Sequence, residues 1–144
     1  MIEIKQVNLN DEILEKLIDL SRQWYEEDIT YGYRVNELDD LKDKKIFIIL
    51  EDSEIIGYLS GYYYLSETMG SVIENGTNCF EVDEFYIRKD KRNKGLGSKL
   101  FKYMEDSIDA QYISLTTANK NYVPILHLYI DELGMKTHSV RLFK

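Results

Sequence analysis

Between residues 79 and 108 the period of the sequence changes, and that change narrows the folds open to the chain. "CFEVDEFYI" has the β-branched and aromatic content of a strand, whereas the run through "SKLFKYMEDSI" spaces Leu96, Leu100 and Met104 along one side of a helix. They are joined by Arg92-Asn93-Lys94-Gly95-Leu96-Gly97, which holds two glycines, two cations and an asparagine. The loop has a mechanical reading, a sharp turn that Gly95 and Gly97 permit and Lys94 keeps solvated. It also has a chemical one: bare N–H groups at a helix N-terminus, reinforced by flanking cations, form an anion site.

Spacing excludes two nucleotide-binding motifs. A P-loop needs Gly-Lys-Ser/Thr four residues after its first glycine, and this chain has Gly95-Leu96-Gly97-Ser98-Lys99. A Rossmann fingerprint needs a third glycine where Leu100 stands and belongs to a first βαβ unit, whereas this loop comes late.

The other segments supply the rest of a sheet. "MIEIKQV" alternates as a strand, and Ile13, Leu14, Leu17, Ile18 and Leu20 recur at helical intervals behind acids in a first turn. "NELDDL" suits a short second helix, and "KIFIIL" and "EIIGYLSGYYYL" are strands joined by "EDS" as a hairpin turn. Residues 66–78 read as a loop and "YISLTT" as a strand. "NYVPILHLYIDEL" reads as a helix with Asn121 as N-cap and Gly134 at its end, and "KTHSVRLF" as a last strand. The order β-α-(α)-β-β-β-α-β-α-β predicts an α/β (mixed α+β) fold, a mixed sheet flanked by helices.

Composition bounds the rest. A chain of 144 residues, 44% apolar with one proline, predicts a single domain over 1–144 with a real core. Cys79 is the only cysteine and there are two histidines, so neither an intrachain disulfide nor a metal site is expected. No stretch approaches the roughly 20 apolar residues of a membrane crossing, and the reading is a reduced, cytoplasmic protein. Asn75-Gly76-Thr77 is read as a turn. The net charge of −8 argues against nucleic acid and fits either plain solubility or a cationic small molecule.

The pattern Arg92-x-x-Gly95-x-Gly97, preceded by "DEFYIRKDK" and followed by "LYIDELGM", resembles the acyl-CoA signature of the GNAT family of N-acetyltransferases. The resemblance covers nearly the whole chain in element order, with its specificity in residues 80–101 and 119–135. It implies a mostly antiparallel sheet splayed between the fourth and fifth strands, acetyl-CoA as cosubstrate, and direct attack by an amine in a ternary complex. Carried onto this chain, Arg92, Asn93, Lys94, Gly95, Leu96, Gly97 and Ser98 wrap the coenzyme pyrophosphate. The backbone of Phe85, Tyr86 and Ile87 pairs with the pantetheine amides, and Asn121 is either only the N-cap or also a coenzyme contact, two compatible roles. Tyr129 matches the tyrosine that protonates the departing thiolate. Asp83 and Glu84 are the candidate bases, and strand alternation admits only one of them to a cleft unless a bulge intervenes. His127 lies two residues from Tyr129 and is read as structural.

In this family the first helix and the segment after it wall the acceptor site. Here Trp24 and Tyr25 are candidates to flank an alkyl chain, and Glu26 and Glu27 to attract ammonium groups; a solvated helix end is the other reading. The segment resembles that of polyamine acetyltransferases, and aminoglycosides or protein amines are also cationic acceptors. A non-catalytic acyl-CoA sensor is the alternative from another class, and retention of Tyr129 with the acid pair argues against it. A toxin acetylating charged tRNA needs a basic surface, which −8 disfavours. Nothing in the sequence excludes a homodimer.

Overall fold

The structure, a computed structural model, describes residues 1–144. Five strands, β1 (Ile2–Val7), β2 (Lys45–Glu51), β3 (Glu54–Leu65), β4 (Asn78–Ile87) and β5 (Tyr112–Leu115), form one sheet in the order β1-β2-β3-β4-β5. All neighbours are antiparallel except β4 and β5. The helices are α1 (Asp11–Glu27), α2 (Leu38–Leu41), α3 (Leu96–Ser107) and α4 (Tyr122–Leu126), the last running into a π-helical turn, His127–Glu132.

Local chemistry sets several boundaries. The Asn10 side chain accepts the Ile13 N–H at 2.9 Å, which starts α1. Asp52 and Ser53, with φ of 49° and 70°, give the β2–β3 hairpin the left-handed turn that matches strand twist. Two cores lie on opposite faces of the sheet. Leu17 and Leu20 of α1 pack on Ile46, Ile48, Tyr58 and Tyr86, while Leu100, Phe101 and Met104 of α3 pack on Phe47, Ile49, Leu59 and Phe80. Covered on both sides, β2 reads as a continuous apolar run rather than an alternating one.

Two irregularities in β4 shape everything that follows. β5 pairs with it only from Cys79 to Val82, so β4 continues to Ile87 with one edge bare, the expected splay. On its other edge Ser60 opposes Glu84 but Gly61 opposes Val82, which leaves Asp83 as the extra residue of a bulge.

Two expectations differ from the structure. The last helix is not one α-helix: Leu133 N–H reaches back to Leu128 O at 2.9 Å, and the Asn121 side chain makes no capping bond. "KTHSVRLF" forms no strand; Met135 is fastened by its N–H to Tyr129 O at 2.9 Å, and the side chains of Val140, Leu142 and Phe143 are exposed. Alternation makes a strand only where an edge receives it, and β5 is four residues long. No helix is long and apolar enough to cross a membrane.

Candidate active site

The bare edge of β4 has a definite set of donors and acceptors. Arg88 N–H points at Ile56 O of β3 (2.8 Å), so strand alternation turns the main-chain groups of Phe85 and Ile87 outward and those of Tyr86 toward β3. Arg92 Nε donates to Ile87 O at 2.9 Å. Both groups of Phe85 and the N–H of Ile87 are left for a ligand to pair with.

This edge leads into the glycine loop. Gly95 precedes α3 with φ 75°, a conformation that side chains resist, and no side chain caps the helix. The N–H groups of Leu96, Gly97 and Ser98 have no partner within the chain. A Cβ at Gly97 would meet Phe85 Cζ at 3.5 Å, ordinary contact, so packing does not require glycine there. Asn93 and Lys94 are exposed, and Ser98 Oγ donates to Glu132 at 3.0 Å.

Arg92 is turned elsewhere. Its guanidinium grips Glu27 at the end of α1 with two bonds, 2.7 and 2.6 Å, lies over the Tyr86 ring at 5.3 Å, and shares Glu27 with the Tyr86 hydroxyl at 2.5 Å. Burial would raise the Glu27 carboxyl, yet the bonds from Arg92 and Tyr86 hold it below its ordinary range. Glu27 is thereby committed to the protein rather than to an acceptor. Trp24 is likewise built in, stacked between Tyr33 at 4.1 Å and Tyr86 at 5.2 Å with its Nε1 donating to Thr30 Oγ1. Tyr25 and Glu26 stay exposed. The segment after α1 crosses to the end of β5, where Tyr31 N–H meets Ala118 O and Lys120 N–H meets Ile29 O. It borders an open pocket of about 360 Å³ that Trp24, Tyr25 and Glu26 help to line.

The bulge decides the acids. Phe80 and Val82 face α3 and so do Phe85 and Ile87, because Asp83 absorbs one step of the alternation. Glu84 therefore joins Glu81 and Tyr86 on the α1 face. Its Oε1 accepts from Tyr58 Oη at 2.7 Å and from Asn36 Nδ2. Burial lifts its carboxyl above the ordinary range, those two bonds oppose the lift, and nearby Asp83 adds to it. Asp83 is exposed and paired with Lys44 at 2.7 Å. Glu81, which the sequence did not single out, accepts from Ser114 Oγ at 2.7 Å and is also raised, chiefly by burial. By simple alternation Glu81 and Glu84 belong to opposite faces, so no sequence signal joined them.

Tyr129 sits in the π-helical turn with its ring 6.4 Å from that of Phe85, on the α3 face, and its hydroxyl has no partner in the chain. Burial pushes the phenol up to about 12. π-turns of this kind recur at functional sites. His127 is exposed and pairs with Asp131 at 2.7 Å. Phe85 thus has an acid on one face of its strand and a phenol near the other.

The sequence profile of the acetyltransferase (GNAT) family matches residues 13–135. Solved structures share the fold. One is an aminoglycoside acetyltransferase from an uncultured soil metagenomic sample, 16% identical, covering 100% of this chain and 97% of that one at TM-score 0.69. Another is glucosamine-6-phosphate N-acetyltransferase from Arabidopsis thaliana, 18% identical, with coverage of 100% and 97% and TM-score 0.67. A third is ribosomal-protein-alanine N-acetyltransferase from Brucella melitensis biovar Abortus, 14% identical, with coverage of 99% and 96% and TM-score 0.67. No curated protein sequence matches. The profile takes in α1, the bulged β4, the glycine loop and the turn of Tyr129, and on that match the chain belongs to the GNAT family, N-acetyltransferases that use acetyl-CoA as cosubstrate.

Proposed function

We propose that this protein moves the acetyl group of acetyl-CoA to a primary amine of a small, cationic acceptor by direct attack while both are bound. One observation carries the reading: the bare edge of β4 at Phe85, with Glu84 on one face of the strand and Tyr129 near the other, runs into the unpaired amides of α3. The pyrophosphate suits those amides, the helix dipole and the cation of Lys94, with Asn93, Ser98 and Asn121 as further polar contacts. The pantetheine amides suit the edge groups of Phe85 and Ile87.

An alkyl ammonium must lose a proton before it attacks. Glu84, whose carboxyl burial raises above the ordinary range, is suited to take that proton. The amine nitrogen then bonds to the thioester carbon, and an outward N–H of β4 stabilises the negative oxygen. The carbon–sulfur bond breaks, the nitrogen gives its second proton to water, the leaving thiolate receives the Tyr129 proton, and the phenolate regains a proton from solvent while Glu84 releases its own. Asp83, tied to Lys44, acts by raising Glu84. Tyr25 and Glu26 supply the exposed part of the acceptor wall.

The test is thiol release from acetyl-CoA across polyamines, aminoglycosides, amino acids and basic peptides, with Tyr129→Phe alongside. The variant should lose roughly tenfold or more in kcat with little change in coenzyme affinity. Wild-type turnover in the variant removes Tyr129 from the mechanism. Coenzyme binding without thiol release for any amine makes the protein a sensor instead.

A further inference from the structure

We infer that Glu81 is a second acceptor-binding carboxylate, so that the acceptor carries a further ammonium group beyond the amine that is acetylated; this deepens, and rests on, the reading of the site as an N-acetyltransferase.

The bulge at Asp83 makes Glu81 and Glu84 successive residues on one face of β4, about 7 Å apart along the strand. Opposite them on β3 stand Tyr62 and Ser60, in register with Glu81 and Glu84 respectively. Each acid is anchored through one oxygen only: Ser114 binds Glu81 Oε1, and both bonds to Glu84 go to Oε1. Glu81 Oε2 has no partner in the chain, although a carboxylate offers about four acceptor sites, while Glu84 has the Tyr33 hydroxyl as a further neighbour.

Independent of the acids is Ser60. It is fully buried, and its Oγ has no hydrogen-bond partner. It shares its face with Tyr58, whose hydroxyl donates to Glu84, and lies directly across from Glu84 in the register. A buried hydroxyl left unpaired carries a cost that a polar ligand relieves. The cations near this patch are already paired: Lys44 with Asp83, 5.5 Å over the Tyr62 ring, and Arg34, which also feels Glu84, with Asp40. A phosphate or carboxylate on the acceptor would meet two unneutralised carboxylates here. Two ammonium groups a short aliphatic or aminosugar spacing apart would pair with both, over the exposed ring of Tyr62.

The experiment compares 1,4-diaminobutane with n-butylamine, for wild type and for Glu81→Gln, an isosteric change. The wild type should prefer the diamine in KM, and Glu81→Gln should raise KM for the diamine at least tenfold more than for the monoamine. Glu81→Asp, which restores the charge, should recover part of the preference. Equal effects of Glu81→Gln on both amines, or no preference in the wild type, overturn the role of Glu81 while leaving acetyl transfer standing. Failure of the wild type to release thiol with any amine overturns the transferase reading and this inference together.

Discussion

Glu84 keeps its carboxyl on the buried side of β4, and that placement ties the base we propose to the stability of the fold. Burial raises its folded-state pKa above the ordinary value of 4.5, so the folded protein binds this proton more readily than the unfolded chain does. Its contribution to stability is therefore full below the unfolded pKa and is lost as pH rises through the folded one. Glu84→Gln mimics the protonated form and keeps an Oε1 to accept from Tyr58 and Asn36. The variant should melt higher than wild type at neutral pH, with the gain shrinking toward about pH 4, and should lose turnover. Thermal unfolding at both pH values, read beside kcat, tests this; a gain independent of pH would show that the carboxylate is not ionising against its surroundings. Tyr129 differs in kind. Raised to about 12 by burial alone, it stays protonated at any ordinary assay pH, as an acid must.

At the scale of elements, the contact between α1 and the glycine loop separates two neighbouring acids that the sequence makes equivalent. Glu26 is exposed at the end of α1, whereas Glu27 holds Arg92 and the Tyr86 hydroxyl and joins α1 to the end of β4. Glu27→Gln should cost about 1–3 kcal/mol in urea unfolding, and Glu26→Gln should change stability by no more than about 0.5 kcal/mol. Equal effects would mean that the Arg92 bond contributes nothing in solution. The cation that stood in the loop motif as a pyrophosphate contact thus has a structural post. The unpaired N–H groups at the start of α3 remain, and the turn before them was legible in "RNKGLG", because a left-handed glycine before a helix is a local property. The π-turn that carries Tyr129 was not disclosed: its apolar spacing serves an α-helix equally well, and only the bond from Leu133 to Leu128 marks the difference.

On the whole molecule, the sheet separates an α1 core from an α3 core, and residues 136–144 belong to neither. Beyond Met135 the tail touches the rest of the chain through the ring of Phe143, edge-on to Tyr31 at 5.6 Å. Deleting residues 137–144 should leave the unfolding free energy within about 0.5 kcal/mol of the parent in urea unfolding; a clear drop would mean that the tail pairs with an edge in solution. Element order as far as β5, both helix faces and the glycine turn before α3 were determined by the sequence alone, since periodicity, capping and turn chemistry act over a few neighbouring residues. Which acid turns inward, what Arg92 grips 65 residues away, and how Glu81 comes to stand beside Glu84 were decided by tertiary structure. Those outcomes hang on the register of β4 against β3, and one bulged residue exchanges the faces of every side chain beyond it.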